Sequence, residues 1–475
     1  MPQTPQEAPE QEAQRRLRVA IIGSGPAGVY AADLLTRSEE ARDGRARLSI
    51  DLFDRYPAPF GLIRYGVAPD HPRIKGIVKS LHQIMENPDL RFFGNVEYGT
   101  DLTLAALRQH YDAIIFATGA VDDAALHIPG IDLDGSYGAA DFVAWYDGHP
   151  DVPREWPLRA REIAVLGNGN VALDVARVLS KHADDLLSTE IPDNVYQGLK
   201  ASPVTDVHVF GRRGPAQMKF TPLELRELAK TRDVEIVLYE EDLQYDDASR
   251  AGIESNNQIK ALIKTLEKWR EAQRERTEHA SRRLHLHFLE SPAEVVGDED
   301  GKVRAIRMQR NELDGAGGIR PTGEIREYPV QAVYRAIGYF GSELPDVGFD
   351  RSRGVITNVE GRVVDERGEP VPGLYATGWI KRGPVGLIGS TKSDALETIT
   401  HLLDDRAYTA EAPEEGAVVD LLESQGVEYT TWEGWRALDA HEQRLGAERT
   451  DAAGNPRQRV KVVPREEMVR ICRDR

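Results

Sequence analysis

Two glycine-rich turns, each lying between a short apolar run and an apolar helix-like stretch, constrain the fold of this chain more than any other feature. The first turn reads GSGPAG at residues 23–28 and follows the apolar run 18–22. The second reads GNGNVA at residues 167–172 and follows the run 162–166. Strand, glycine turn and helix in this order are typical of a unit that binds a pyrophosphate at the helix N-terminus. The chain is therefore predicted to contain two dinucleotide folds.

The order of the remaining segments predicts that the second fold is inserted into the first. Further apolar strands are expected at 48–53 and 113–117 in the first fold and at 206–210 in the second. The segment 374–379 then resembles a strand that returns to the first sheet. We predict an α/β protein with two Rossmann-like domains and parallel sheets. The predicted limits are a disordered tail at 1–16, a first domain at 17–122 and 347–475, and an inserted domain at 123–346.

The residues at the ends of the second strands distinguish the two predicted nucleotide sites. Asp54 ends the strand after the first turn, where an acidic side chain binds ribose hydroxyls. Its distance from Gly28 exceeds the usual spacing of about 20 residues, which we attribute to an extended loop at 38–47. Arg212 and Arg213 stand at the matching position of the second fold, and guanidinium groups suit a 2′-phosphate. The first domain is thus predicted to hold FAD, and the second to prefer NADPH over NADH.

Charge and cysteine content exclude several classes of function. The net charge of −18 argues against nucleic acid as the main partner. Cys472 is the single cysteine, which excludes an intramolecular disulfide, a redox cysteine pair and a cysteine-ligated cluster, and we assign no metal site. No apolar run reaches the roughly 20 residues of a membrane helix, and the first 14 residues lack a signal or transit pattern. We expect a cytoplasmic protein without an integral membrane segment.

Four motifs in register resemble the adrenodoxin reductase-like ferredoxin-NADP reductases. They are PFGLIRYGVAPDHP at 59–72, GNGNVALDVAR at 167–177, GRRGP at 211–215 and GWIKRGP at 378–384. Together they extend over nearly the whole chain from Leu17 onward. The resemblance implies a flavoenzyme in which FAD and NADP(H) meet at the domain interface. Such an enzyme takes a hydride from NADPH onto FAD and passes single electrons to a ferredoxin-type iron-sulfur protein.

The resemblance also implies the residues of each site. Those expected at FAD are Gly23, Ser24, Gly25, Ala27, Gly28, Asp54, Leu62, Tyr98, Trp379, Gly386, Leu387 and Ile388. Those expected at NADP(H) are Gly167, Gly169, Asn170, Val171, Arg212, Arg213, Glu224 and Gly386. The chain departs from the family at Asp54, where Glu is usual, and at Tyr98, which we expect to contribute only backbone atoms. His71 and Asp174 are the candidate pair for proton handling, with structural hydrogen bonding as the alternative role.

Two other functions are compatible with the glycine turns. One is a module like the small subunit of glutamate synthase, but such modules usually carry cysteine-ligated clusters that this chain cannot build. The other is a flavin-binding protein without activity, against which the arginine pair and the segment 379–388 argue. For an acidic ferredoxin, we expect docking on the cations of the helix 260–283, especially Lys260, Lys264, Lys268 and Arg270, with Lys75, Lys79 and Arg382 as alternative positions. The other role of this helix is a solvated face, in which Glu267, Glu271 and Glu275 alternate with the cations.

Overall fold

The computed structural model describes residues 15–386, 388–406 and 409–474. Of the predicted tail at 1–16, residues 1–14 lie outside the described residues, whereas the last two contact the folded chain. Arg15 donates a hydrogen bond to Asp112 at 2.8 Å, and Arg16 pairs with Glu415 at 2.7 Å, while the limits of the tail remain a prediction. Across the described ranges, no helix is both long and apolar enough to cross a bilayer.

Residues 17–116 form the first part of a parallel sheet with helices on its faces. Strand β1 pairs in parallel with β2 and β4, and β2 pairs with β3. Every residue of β1 and β2 is buried, as expected for strands covered on both faces. The elements are β1 (Leu17–Ile22), α1 (Pro26–Thr36), α2 (Glu39–Arg42), β2 (Leu48–Asp54), α3 (Leu62–Tyr65), α4 (Pro72–Lys75), α5 (Val78–Met85), β3 (Leu90–Gly94), α6 (Leu104–His110) and β4 (Ala113–Phe116).

A second sheet, also parallel, is built from the middle of the chain. Its strand order is β6-β14-β7-β8-β10-β9, and an antiparallel sheet β11-β12-β13 packs beside it. The elements are β5 (Asp122–Asp123), β6 (Ser136–Gly138), α7 (Ala139–Tyr146), β7 (Glu162–Leu166), α8 (Asn170–Ser180), α9 (Ala183–Leu186), α10 (Asp193–Ala201), β8 (Asp206–Gly211), α11 (Pro222–Leu228), β9 (Val234–Leu238), α12 (Asp247–Ser255), α13 (Asn257–Glu275), β10 (Arg282–Phe288), β11 (Glu290–Gly297), β12 (Val303–Leu313), β13 (Ile319–Tyr328), β14 (Ala332–Arg335) and β15 (Tyr339–Phe340).

The last part of the chain returns to the first sheet and completes it. Strand β20 pairs in parallel with β4, which gives the order β18-β19-β20-β4-β1-β2-β3. The elements are β16 (Phe349–Asp350), β17 (Val355–Ile356), β18 (Asn358–Val359), β19 (Arg362–Val364), β20 (Pro370–Ala376), α14 (Trp379–Arg382), α15 (Ile388–Asp405), α16 (Glu415–Ser424), α17 (Trp432–Ala447) and α18 (Arg465–Arg473). The predicted fold class, with one Rossmann-like domain inserted into another, is confirmed. The exact domain limits remain a prediction.

Three local elements differ from the sequence-based expectation. The charged helix that was predicted to reach residue 283 ends at Glu275, because residues 282–288 pair as β10 with both β8 and β9. The expected extended loop at 38–47 contains the short helix α2. Within the antiparallel sheet over 290–328, the sequence predicts only a strand at 303–309 and a glycine-rich loop at 314–318. Positive φ angles at Gly315 and Gly317 allow the tight turn that joins β12 to β13.

A buried network of ion pairs joins the C-terminal helices to both sheets. Arg64 donates to both carboxylate oxygens of Glu442, at 3.1 and 2.5 Å. Lys461 donates to the backbone oxygens of Arg64 and Asp147 at 2.6 and 2.9 Å, and its ammonium lies 2.8 Å from Glu190. Removing one member of such a network leaves an uncompensated charge in the interior. The network therefore depends on each of its carboxylates.

Replacing Glu442 by alanine should lower the free energy of unfolding by about 3–5 kcal/mol, because the guanidinium of Arg64 would stay buried without its partner. Denaturant titration followed by tryptophan fluorescence measures the change. The matched control is Gln443→Ala, since Gln443 is exposed on the same helix and its loss should cost about 0.5 kcal/mol or less. If both variants unfold at the same denaturant concentration, the ion pair of Arg64 and Glu442 does not contribute the predicted stability.

Candidate dinucleotide sites at the ends of the two sheets

The first glycine turn leaves the N-terminus of α1 open. Gly23 has φ +110°, and a Cβ atom there would lie 2.5 Å from the backbone oxygen of Ala117. A Cβ atom on Gly28 would lie 2.0 Å from the backbone oxygen of Gly23, so the turn and the helix touch. Gly25 caps α1 without a side-chain hydrogen bond, and its nearest neighbour for a Cβ atom is 4.0 Å away. The free N–H groups of this helix end fit a pyrophosphate.

Asp54 stands directly beside this turn. Its Oδ2 accepts hydrogen bonds from the backbone N–H and the hydroxyl of Ser24, at 2.9 and 2.5 Å, and its Oδ1 accepts from the N–H of Tyr56 at 2.9 Å. Burial raises the pKa of the Asp54 carboxyl, although the three hydrogen bonds act in the opposite direction. The carboxylate is thus fixed at the strand end, in the place expected for a ribose-binding acid.

Two other loops close on the same turn. The backbone N–H of Phe60, at φ +82°, donates to the oxygen of Ser24 at 3.0 Å, and the next residues lead into α3 at Leu62. A Cβ atom on Gly378 would lie 2.6 Å from Cβ of Ala27, which brings the half-buried Trp379 to the N-terminus of α1. The structure therefore gathers the residues 23–28, Asp54, Leu62 and Trp379 around one helix end.

The other residues expected at FAD lie in different surroundings. The hydroxyl of Tyr98 donates to the backbone oxygen of Pro345 at 2.7 Å, and its ring packs against Phe116 at 5.3 Å. These protein contacts occupy the side chain, which agrees with the expectation of a backbone role. Gly386 is exposed with φ +89°. Leu387 lies outside the described residues, and Ile388 is the first residue of α15.

The second glycine turn repeats the first. A Cβ atom on Gly167, at φ +151°, would lie 2.2 Å from the backbone oxygen of Ala336. Gly169 caps α8 without a side-chain hydrogen bond, and a Cβ atom there would have no described heavy atom within 4 Å. Asn170 accepts a hydrogen bond from the N–H of Thr221 at 3.0 Å, while Val171 is half-buried. This helix end is also open and also fits a pyrophosphate.

Arg212 and Arg213 extend from the end of β8 into solvent. Within the described part of the chain, neither guanidinium makes a hydrogen bond or an ion pair with the protein. Their backbone is nevertheless fixed, because Asn311 donates to the oxygen of Arg212 and the N–H of Leu289 donates to that of Arg213, both at 3.1 Å. Two uncompensated cations on a rigid strand end, in a chain of net charge −18, fit an anion such as a 2′-phosphate.

A cluster of charged side chains connects the two domains at their interface. Nε2 of His71 lies 2.9 Å from Asp174 on α8 and 2.8 Å from Glu224 on α11. The guanidinium of Arg177 donates two hydrogen bonds of 2.9 Å to Asp70, and Lys181 adds a third at 3.0 Å. The candidate pair His71 and Asp174 is therefore brought together, and Glu224 belongs to the same cluster.

The electrostatics of this cluster keep a proton on His71 at neutral pH. Burial alone lowers the pKa of His71, but hydrogen bonds to Asp174 and Glu224 raise it to about 9. Burial likewise opposes the ionised form of Asp70, yet Arg177 and Lys181 hold the pKa of this carboxyl below its usual range. Sequence reasoning missed Asp70 and Arg177 as partners, although both lie inside the motifs at 59–72 and 167–177. Their pairing depends on the packing of the two domains, which no motif encodes.

Comparison with known proteins gives one consistent result. The family model described as pyridine nucleotide-disulphide oxidoreductase matches residues 17–238. The chain is 40% identical over 472 residues to NADPH-ferredoxin reductase FprA of Mycobacterium tuberculosis, covering 95% of this chain and 98% of that protein. It is 38% identical over 467 residues to the human mitochondrial NADPH:adrenodoxin oxidoreductase, covering 96% and 91%.

The comparison of structures agrees with the comparison of sequences. The structure of Mycobacterium tuberculosis FprA in complex with NADPH aligns with a TM-score of 0.83 at 39% identity, covering 96% of this chain and 99% of that one. The similarity spans both sheets and the insertion between them. The chain belongs to the family of NADPH-ferredoxin and NADPH:adrenodoxin reductases.

Proposed function

We propose that this protein is an FAD-containing NADPH-ferredoxin reductase that moves electrons between NADPH and a ferredoxin-type iron-sulfur protein. The observation that carries the proposal is the pair of open helix ends, one beside Asp54 and the other below the unpaired Arg212 and Arg213. Family membership supports the same reaction. FAD, when bound, accepts two electrons together from NADPH and releases them one at a time.

The residues of the two sites have separate tasks. The N–H groups at the start of α1 bind the pyrophosphate of FAD, and Asp54 accepts hydrogen bonds from its ribose. The start of α8 binds the pyrophosphate of NADP(H), and the two arginines bind its 2′-phosphate. Trp379 contributes apolar area beside the first site. Gly386 has no side chain, so it leaves room for a ring to approach the backbone, and Leu387 and Ile388 continue this segment.

His71 and Asp174 are proposed to hold a proton close to the meeting point of the two sites. The raised pKa of His71, about 9, supports this role, since the imidazolium is the form present at neutral pH.

The proposal of a reductase is preferred over the glutamate synthase-like module, because the relatives align over 95% of this chain and the chain has a single cysteine. That cysteine content also supports a reducing, cytoplasmic location.

The purified protein should be yellow and contain about one FAD per chain, and Asp54→Ala should weaken flavin binding roughly 10- to 100-fold through loss of a charge-assisted hydrogen bond. Flavin released by heating, measured against protein concentration, gives the ratio. The control is Asp132→Ala, since Asp132 is exposed and lies in the inserted domain, away from the first turn. A colourless protein that stays inactive after addition of FAD would contradict the proposal.

Replacing Arg212 and Arg213 together by glutamine should raise the Michaelis constant for NADPH far more than that for NADH, since only NADPH has the 2′-phosphate. Each lost contact is worth about 1.5–3 kcal/mol. Reduction of ferricyanide by each nucleotide measures both constants. The matched control removes two exposed arginines elsewhere, Arg353→Gln with Arg367→Gln. Equal losses with both nucleotides would mean that the pair only supports the fold.

An acidic ferredoxin requires a basic docking surface, although this chain has a net charge of −18. Lys260, Lys264 and Lys268 are exposed at four-residue spacing on α13, so they lie along one face of the helix. Of the alternatives, Lys75 is unsuitable, because its ammonium is bound to Glu190 and Asp147 at 2.7 and 3.3 Å. Lys79 is exposed, and Arg382 lies 3.6 Å from Asp394. The lysine face of α13 is therefore the preferred docking surface.

Charge reversal at Lys264 and Lys268 should weaken NADPH-driven reduction of cytochrome through a ferredoxin, while direct reduction of ferricyanide persists. The coupled rate should also fall as salt shortens the Debye length from about 10 to about 3 Å. The control with the same change of net charge is Lys302→Glu with Arg367→Glu, both exposed. If the control loses coupling as much as the test variant, the effect comes from overall charge and the docking site is elsewhere.

A further inference from the structure

Three histidines lie together on one face of the inserted sheet, away from both nucleotide sites. They are His208 on β8 and the pair His285 and His287 on the neighbouring strand β10. His285 is directly opposite His208 in the parallel register, and His287 points to the same face because side chains alternate along a strand. All three are buried, and their alternating neighbours on the other face are valine and leucine. Histidine at these positions needs a reason other than packing.

The ring nitrogens of the three histidines are close enough to share a metal ion. Nδ1 of His208 lies 3.0 Å from Nε2 of His287, and one nitrogen of each ring lies within 4.8 Å of the other two. Zn–N bonds of about 2.0–2.1 Å in tetrahedral geometry separate ligand nitrogens by about 3.3 Å. The rings of His208 and His285 are stacked, with centroids 4.2 Å apart and 11° between their planes, so these side chains must rotate for their nitrogens to bind one ion.

The second nitrogen of each ring faces a carboxylate. Nε2 of His285 lies 2.9 Å from Asp206, Nε2 of His208 lies 4.0 Å from Glu162, and Nδ1 of His287 lies 4.0 Å from Asp242. Metal-bound histidines typically donate their remaining N–H to a carboxylate, which fixes the tautomer and orients the ring. The arrangement leaves Nδ1 of His285, Nδ1 of His208 and Nε2 of His287 as the inward-facing atoms.

A fourth ligand is also in place. The hydroxyl of Tyr239, the residue after β9, lies 2.8 Å from Nδ1 of His285. The strand order β8-β10-β9 therefore places this hydroxyl beside the histidines of β10.

The second histidine cluster of the described chain is less suited to a cation. His71, Asp174 and Glu224 also lie within 4.8 Å of one another. However, the guanidinium of Arg177 lies 2.7 Å from His71 and 3.0 Å from Asp174, so a positive charge already occupies that cluster. Beside the histidines of β8 and β10, Arg283 and Arg310 are instead paired with the carboxylates of Asp206 and Asp242.

We propose that His208, His285 and His287 form a site for a divalent transition metal such as Zn²⁺, with the Tyr239 hydroxyl or a water molecule as the fourth ligand. Three imidazole nitrogens with an open fourth position form a common zinc arrangement, and imidazole also suits copper, nickel and cobalt. A metal here links β8, β10 and the end of β9, so it stabilises the edge of the inserted domain. The site is independent of the proposed reductase activity.

The test loads the flavin-containing protein with Zn²⁺. The protein is treated with a chelator, dialysed against Zn²⁺, separated from free metal by gel filtration and analysed by mass spectrometry, with about one retained Zn²⁺ per chain expected. His208→Asn and His287→Asn should lose this metal, while His127→Asn, at an exposed histidine, should keep it. Asp206→Asn should weaken Zn²⁺ binding about 10- to 100-fold, since it removes the carboxylate that orients His285 and also pairs with Arg283.

Flavin content and ferricyanide turnover show whether each variant is folded. If His208→Asn does not fold, X-ray absorption of the zinc-loaded natural protein decides the question, with three nitrogen ligands at about 2.0–2.1 Å expected. The proposal is overturned if no zinc is retained, if the His208 and His287 variants retain it as the control does, or if the ligand shell contains only oxygen. Loss of zinc in His71→Asn but not in His208→Asn would place the metal at the interface and also overturn it.

Discussion

The paired charges of Arg177 and Asp70 hold the two nucleotide domains in one arrangement. Arg177 lies on the helix that begins at the second glycine turn, and Asp70 lies in a loop inside the first domain's motif at 59–72. Their two parallel hydrogen bonds, together with the contacts of His71 to Asp174 and Glu224, extend across the interface. Because the partners are buried, their separation would leave several charges without compensation. The relative position of the two helix ends depends on this cluster.

Steric contact at the glycine turns determines how closely each nucleotide approaches its domain. Gly23 and Gly28 are in contact with backbone atoms, so no side chain fits at either position. Gly25 and Gly169, by contrast, face open space, and a side chain there would occupy the volume in front of the helix end. The same residue type therefore serves two purposes, close packing on one side of the turn and access on the other.

Much of the fold was predictable from the sequence, because each glycine turn specifies a strand before it and a helix after it. The return of the chain to the first sheet at residues 374–379 was predictable for a similar reason, from its apolar run and the segment that follows. The antiparallel strand β13 was not, since most of its residues are exposed and several are charged, and such strands have a weak periodic signal. The interface partners Asp70 and Arg177 were missed because their pairing is a property of two domains together. The proximity of the histidines of β8 and β10 was not predictable, because it depends on strand register.

The insertion of one domain into the other has a consequence for synthesis of the protein. Strand β4 receives its neighbour β20 only after residues 117–373 have left the ribosome, which takes about 10–50 s at typical rates of translation. During that interval one edge of the first sheet is unpaired and apolar, which favours association with other chains. The inserted domain has all six strands of its parallel sheet within residues 136–335, so it is able to fold first. The nascent chain thus contains a folded inserted domain beside an incomplete first sheet. The exposed edge of β4 must be protected from association with other chains until β20 pairs with it.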